Sequence, residues 1–298
     1  MATILTLTAN TLLDHAGEGA PEPNRTTRVV ELAPVAGGKG LNVGRVLARH
    51  GHRVLCAGFA GGATGAQLSE LVAADGMEPV FTPTAARTRV GFYLVGAAGT
   101  SAVLEGGFAV TPSEVGALVA RVRGLLDGVE LVIIGGSVPH NAANGLYRMV
   151  LDRCAEAGVP CWVDSYGEAM DEALGGAHPP ALVKPNKQEY GRSRKWLSAT
   201  EMHITDAGAE VRVRAPAGRF RLVPPKVREL NPVGSGDCYL AALAHARLTG
   251  MPPIDQFKYA VAAGAANASR ADVARIAPSD ILALVDRVEV EPANAERA

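Results

Sequence analysis

The sequence predicts an α/β protein: a doubly wound, mostly parallel sheet with helices on both faces, plus a small second β-sheet. Three observations carry that expectation. Continuous apolar runs such as Leu131-Val132-Ile133-Ile134 read as strands buried on both faces, segments of helical spacing alternate with them, and Gly-rich turns join the two. The 298 residues, 48% of them hydrophobic, suit two small domains or one large α/β domain with a sizeable core.

Taken in order, Ile4 to Thr8 alternates apolar residues with threonine and reads as a strand. A polar loop is expected from Asn10 and Asp14 to Arg28, and a short strand from Val29 to Val35. Gly37-Gly38-Lys39-Gly40 then turns the chain into a helix over Leu41 to His50, with Arg45 and Arg49 on its polar face. A buried strand at Arg53 to Phe59 and a helix near Ala66 to Ala74 follow. Arg87 to Gly96 alternates as a strand, and Ser101 to Glu105 pairs with it across Ala98-Gly99, forming a small sheet with 29–35. From Thr111 the spacing of Val115, Leu118, Val119, Val122, Leu125 and Leu126 is helical. The strand Leu131 to Ile134, a helix near Ala142 to Ala157, and strands at Cys161 to Val163 and Ala181 to Val183 complete a βαβαβ pattern.

Ligands of such sheets bind beyond the carboxyl ends of the strands. There the sequence gathers Asn10, Asp14, Gly136, Ser137, Asp164, Lys184, Asn186 and the stretch Asn231-Pro232-Val233-Gly234-Ser235-Gly236-Asp237. Pro232 ends a preceding strand, the glycines permit a tight path, and the run from Cys238 to Leu248 is helix-forming. The N–H groups of Gly234, Ser235 and Gly236 are therefore expected to face outward at a helix N-terminus, suited to phosphate charge, with Asp237 ionised and weakly basic beside them. A plain turn with a capping residue explains the same residues. Two nucleotide motifs fail on spacing. A dinucleotide fingerprint lacks its third glycine at Tyr239, and a Walker A loop would need Gly at Ala33 and Ser or Thr at Gly40.

A net charge of −1 gives no basic field for nucleic acid or an anionic membrane, so neither is an expected partner. Cys56, Cys154, Cys161 and Cys238 show no C-x-x-C spacing and read as buried thiols in a reducing compartment, without disulfide or zinc. The start of the chain has no basic, then apolar, leader, and no run reaches ~18 apolar residues. A cytoplasmic location is expected.

Three stretches together resemble the ribokinase-like (PfkB) carbohydrate kinases, in the branch of 1-phosphofructokinase and tagatose-6-phosphate kinase. They are Gly37 to Ala48, Val183-Lys184-Pro185-Asn186-Lys187-Gln188-Glu189, and Asn231 to Asp237. The resemblance implies one domain over 1–298 with a small β lid from about 11–36 and 86–108, and transfer of the γ-phosphoryl group of ATP. It makes Asp237 the general base, with Gly234, Ser235 and Gly236 as the anion hole. Asp14, Gly38, Lys39, Asn42, Arg89 and Ser137 would hold a sugar phosphate, with Lys39 and Arg89 on its existing phosphate. Lys184, Asn186, Asp206, Gly208, Asn231, Gly234 and Asn267 would hold the nucleotide, and Asn186 and Glu189 would hold Mg²⁺ through water. Asn186 also suits a helix cap after Pro185.

The chain departs from the family pattern in places. Thr11 follows Asn10 where relatives have proline, Gly91 replaces a frequent asparagine, and Asn231 replaces a frequent aspartate. Only Tyr190 to Ala207 separate Glu189 from Gly208, where relatives have room for two helices and a strand, and Asp206 falls on a hydroxyl position. A kinase for fructose 1-phosphate, fructose 6-phosphate or tagatose 6-phosphate is the leading expectation. A sugar-phosphate-binding relative without turnover, or a kinase for an unphosphorylated sugar or nucleoside, are the rivals. Exposed lid edges suggest a homodimer.

Overall fold

The computed structural model describes residues 1–22, 24–96, 99–192 and 195–292. The chain opens with β1 (Thr3–Thr8), β2 (Leu12–Glu18), β3 (Ala33–Gly37), α1 (Lys39–Arg49), β4 (Arg53–Ala60) and α2 (Gly62–Ala74). Short β5 (Glu78–Pro79) and β6 (Thr82–Pro83) precede β7 (Arg89–Gly96) and β8 (Gly99–Leu104). The expected alternation follows as α3 (Pro112–Leu125), β9 (Leu131–Gly135), α4 (Leu146–Glu156), β10 (Cys161–Asp164), α5 (Gly167–Leu174), β11 (Leu182–Val183) and α6 (Lys187–Tyr190). Strands β12 (Glu201–Asp206), β13 (Glu210–Ala215) and β14 (Gly218–Val223) lead to α7 (Ser235–Leu248), α8 (Pro253–Ala268), α9 (Pro278–Val285) and β15 (Glu289–Pro292).

The large sheet has the order β15-β14-β13-β12-β11-β10-β9-β1-β4-β5, with β6 also on β4. Neighbours from β12 to β5 run parallel, and those from β12 to β15 run antiparallel. Because β4 lies on one side of β1 and β9 on the other, strand order reverses at β1 and a crevice opens beyond its carboxyl end. Side-chain alternation divides the core. Ile4 and Ile133 join the cluster under α1, α7 and α8, while Leu5, Leu7, Val132 and Ile134 join the one under α3, α4 and α5. Full burial of each such side chain is worth about 1.5–3 kcal/mol. Helix α7 is buried on nearly all sides, and its alanines let α8 lie close against it.

The small sheet has the order β3-β2-β7-β8, with β2 and β7 parallel. Here the structure corrects the sequence. The expected polar loop at Asp14 is strand β2, whose Leu-Leu-Asp-His-Ala-Gly-Glu lacks β-branched residues but pairs on both sides, with β3 and β7. The strand expected from Val29 begins at Ala33. The β7–β8 pairing holds, with Gly96 opposite Gly99, while Ala97 and Ala98 of the expected turn lie outside the described residues. The helix expected from Ala142 splits into a 3₁₀ turn at Asn141–Ala143 and α4, because Gly145 interrupts it. Helix α5, with Ala169, Met170, Ala173 and Leu174 on its buried face, was not expected. After Glu189 the chain makes a single turn of α6, a 3₁₀ turn at Lys195–Ser198, and β12. The four cysteines are buried, as expected. Among the described residues no helix is long and apolar enough to cross a membrane.

Three histidines meet where α1, β4 and α7 converge. His52 Nε2 lies 2.9 Å from His245 Nδ1, and the rings of His50 and His245 are 4.4 Å apart. Burial lowers the pKa of His50 and His52. His245 is pushed down to about 4 by burial and by the neighbouring His50 and His52. An unfolded histidine protonates near pH ~6.5, before these do. The stability they contribute is therefore complete above that pH and is lost as pH falls below it. The Tm of His245→Gln is expected to fall less than that of the unsubstituted protein between pH 7 and 5; parallel Tm–pH curves would refute this.

Candidate active site

A cavity of about 1060 Å³ lies at the strand ends between the two sheets. It is lined by Asp14, Gly38, Lys39, Asn42, Arg89, Ser137, Lys184, Asn186, Asp206, Gly208, Gly234, Ser235, Gly236 and Asp237, which the sequence placed in the site. Two glycines shape its floor. Gly38 (φ +127°) caps α1 so close to β1 that a Cβ would lie 2.5 Å from Thr8 Cγ2. Gly234 takes the left-handed conformation (φ +82°) that starts α7.

Asp164, buried at the end of β10, lies 3.0 Å from Lys39 Nζ and 3.0 Å from Lys184 Nζ. Burial opposes its ionisation, but Lys184 and then Lys39 outweigh it and hold the carboxyl below its ordinary range. Lys39 is likewise raised despite burial, by Asp164 first and then Asp237. Two cations share this one anion, leaving positive charge facing the cavity.

Asp237 stands at the third position of α7 and accepts from Asn42 Nδ2 at 2.8 Å. The expectation of a weakly basic carboxylate is overturned. Burial pushes Asp237 up to about 6, Asp164 adds to the rise, and Lys39, Asn42 and Lys184 offset it only in part. The anion loop is also corrected: Ser235 N–H turns back to Pro232 O at 3.2 Å, so it does not point outward with its neighbours.

At the small-sheet end, Asn10 Nδ2 donates to Ser137 Oγ (3.0 Å), and Arg89 donates to Glu105 O (3.0 Å) and Asn10 O (3.3 Å). Thr8 Oγ1, Asn10 Oδ1 and Arg89 Nε are buried without a hydrogen-bond partner among the described residues, although their residues line the cavity. Buried polar atoms are rarely left so unless a ligand or water completes them. Burial raises the pKa of Asp14 above its ordinary value, against the His15 N–H that it accepts at 3.0 Å.

The cavity is also lined by Val261, Gly264, Ala265 and Ala268 of α8, a stripe at i, i+3, i+4 and i+7, and by Pro224, Pro225 and Val227. No motif marks this apolar wall in the sequence, where the helical stripe was the available signal. Thr8 and Tyr166, which no motif marks, also line the cavity without having been expected there. Asp206 carries Lys187 Nζ at 2.7 Å.

Three expected site residues do not line the cavity. Asn231 is fully buried, accepting from Thr100 Oγ1 and Val233 N and donating to Ala271 O. Asn267 lies behind the anion loop, donating to Val233 O (2.8 Å) and Ser235 Oγ (3.0 Å) and accepting from Ala274 N (2.8 Å). Glu189 is joined to Asn186 in a capping box, each side chain accepting the other's backbone N–H.

A carboxylate of raised pKa at a helix N-terminus, facing a strand-end crevice with paired lysines, is equipment for group transfer. The profile of the pfkB family of carbohydrate kinases matches residues 8–280, so the chain belongs to that family. Its fold is similar to a possible 1-phosphofructokinase from Thermotoga maritima (21% identity, TM-score 0.88, covering 98% of this chain and 100% of that one). It is also similar to phosphofructokinase-2 from Escherichia coli in complex with fructose-6-phosphate (23% identity, TM-score 0.84, 96% and 99% covered). The tetrameric inhibited form of that enzyme matches equally (23% identity, TM-score 0.84, 96% and 99% covered).

Because Asn267 pairs buried backbone groups of two segments, Asn267→Ala is expected to lower stability by about 2 kcal/mol or more. Denaturant unfolding checks this, and a loss under about 0.5 kcal/mol would show that the brace is dispensable.

Proposed function

We propose that the protein transfers the γ-phosphoryl group of ATP to a hydroxyl of a phosphorylated ketohexose: fructose 1-phosphate, fructose 6-phosphate or tagatose 6-phosphate. The observation that carries this reading is the place of Asp237, between a hydroxyl-binding end with unsatisfied polar atoms and an apolar end with Lys184 and Asn186, in one cavity. Solved relatives named as phosphofructokinases support the choice of sugar phosphate.

In this reading Asp14, Asn10 and Ser137 orient the sugar, and Arg89 and Lys39 receive its phosphate. The small sheet acts as a lid that excludes water. Asp237 accepts the hydroxyl proton as the phosphoryl group moves in line. The Gly236 N–H, the α7 N-terminus and Lys184 stabilise charge on the transferring group. Proton transfer is needed late in a loose transition state, so the position of Asp237 counts as much as its basicity.

The residues fit Mg²⁺ carried in with the phosphates. Asn186 lines the cavity and offers a hard oxygen donor with one cap bond made, while Glu189, outside the lining, holds its carboxylate on the Asn186 N–H. No described cluster of His, Cys, Asp and Glu would grip an ion alone. Mg²⁺ would neutralise phosphate charge there, reached from these side chains through water. Exposed Val103 on edge strand β8 supports a homodimer through the small sheet. A cytoplasmic location suits the substrates.

Asp237→Asn is expected to keep sugar-phosphate binding and to lower turnover by at least ~10²-fold in a coupled assay over the three sugar phosphates. Near-normal turnover would remove Asp237 from the mechanism. With the unsubstituted protein, kcat/KM is expected to fall as pH drops below about 6, where Asp237 becomes protonated. The substrate phosphate titrates near pH ~6 as well, so the residual activity of Asp237→Asn supplies the baseline.

Lys187 offsets the Asp206 carboxylate, which removes one obstacle to a triphosphate, while the single turn of α6 leaves that wall of the cavity short. Calorimetry is expected to give weaker binding for a non-hydrolysable ATP analogue with Mg²⁺ than for the sugar phosphate. Arg89→Ala should weaken only the sugar phosphate. Equal loss of both ligands in Arg89→Ala would contradict the assignment of Arg89.

A further inference from the structure

Arg45 stands on the buried face of α1 with no exposed surface, and its guanidinium is held by three acceptors. Nε donates to Asp75 Oδ2 at 2.6 Å, one terminal nitrogen to Asn42 Oδ1 at 3.0 Å, and the other to Ala36 O at 2.6 Å. Asn42 in turn donates Nδ2 to Asp237 Oδ2 at 2.8 Å. The order of these groups has a direction. A guanidinium only donates and a carboxylate only accepts, so the group between them must accept on one side and donate on the other. A side-chain amide does this in one orientation alone.

The bond from Arg45 therefore decides which atom of Asn42 faces the carboxylate. Without it the amide is free to turn and present Oδ1 to Asp237, replacing a donor with a second negative dipole. The simpler role for Arg45 is an ion pair with Asp75 that joins α1 to the end of α2, and Asp75 also takes Arg275 at 3.0 Å. That role does not account for the bonds to Asn42 and Ala36. Ala36 lies in β3, one residue before the Gly37-Gly38 turn into α1.

We infer that Arg45 is a positioning residue for the phosphoryl-transfer centre: it holds the Asn42 amide in the orientation that donates to Asp237, and it fastens β3 to the same helix. The inference rests on Asp237 being the proton acceptor. The other groups facing Asp237 are Lys39 on α1, Asp164 at the end of β10 and Lys184 after β11, and none of them contacts Arg45 in a hydrogen bond. Loss of Arg45 thus leaves their charges in place and removes the Asn42 contribution, which favours the ionised carboxylate, together with the charge of the guanidinium itself, which acts in the same direction.

The test compares Arg45→Met, Arg45→Lys, Asp75→Asn and Asp237→Asn in the full chain, with ATP and each of fructose 1-phosphate, fructose 6-phosphate and tagatose 6-phosphate. Arg45→Met is expected to lower kcat about 10- to 100-fold, the scale of a misplaced reacting group, with KM for ATP within about twofold. Its acid limb in the pH–rate profile should move to higher pH, and Arg45→Lys should recover part of kcat. A folded Arg45→Met with unchanged kcat and acid limb overturns the inference. So does a loss seen in Tm alone. Should Arg45→Met fail to fold, Asp75→Asn carries the test: it frees the guanidinium from its outer anchor, so a smaller change in the same direction is expected and no change overturns the proposal. Normal turnover by Asp237→Asn would instead overturn the assignment of the base, and is read separately from the Arg45 variants.

Discussion

The buried carboxylate of Asp164 between Lys39 and Lys184 is the constraint on which the site depends. It ties the end of β10 to the first residue of α1 and to the residue after β11, so three elements meet at one charge. Asp164 and Lys184 are almost wholly desolvated. Removing Asp164 would leave the buried Lys184 ammonium without its partner, and an uncompensated buried charge typically costs about 3–5 kcal/mol. The arrangement exists because the parallel sheet brings consecutive strand ends side by side. Residues 39, 164 and 184 are then neighbours although most of the chain's first half separates the first from the others.

The same triple separates the behaviour of two nearby carboxylates. Asp164 has two ammonium groups within hydrogen-bond distance, and they hold its carboxyl below the ordinary range against burial. Asp237 has one neutral amide donor and a buried setting, and rises to about 6. Environments that push two acids apart in this way suit them to different tasks. The glycine at 38 makes the division possible, since it lets α1 begin close enough to β1 for Lys39 and Asn42 to reach the two acids from one helical turn.

Much of this was legible in the sequence, for identifiable reasons. The parallel sheet showed itself through apolar runs long enough to be buried on both faces, and Asp237 through the contrast between a Gly-rich turn and an Ala-rich helix. Strand β2 was hidden because its residues have weak β-propensity and only pairing with β3 and β7 makes it extended. Asn231 and Asn267 were assigned to the nucleotide by the resemblance, yet sequence position does not reveal which way a side chain faces. Both point away from the cavity and saturate buried backbone groups. The raised pKa of Asp237 was missed for a related reason: a helix N-terminus favours the charged form, but burial, which the sequence does not display, outweighs it.

The ends of the large sheet bear on how the molecule avoids unwanted company. At one edge β5 is Glu78-Pro79, with Arg53 clasping the glutamate at 2.7 and 2.8 Å; at the other, β15 finishes on Glu291-Pro292. Proline offers no N–H to an incoming strand. A sheet of this width would otherwise present two templates for runaway strand addition. With both ends closed by the same two-residue device, fibre-like growth through the main sheet is disfavoured.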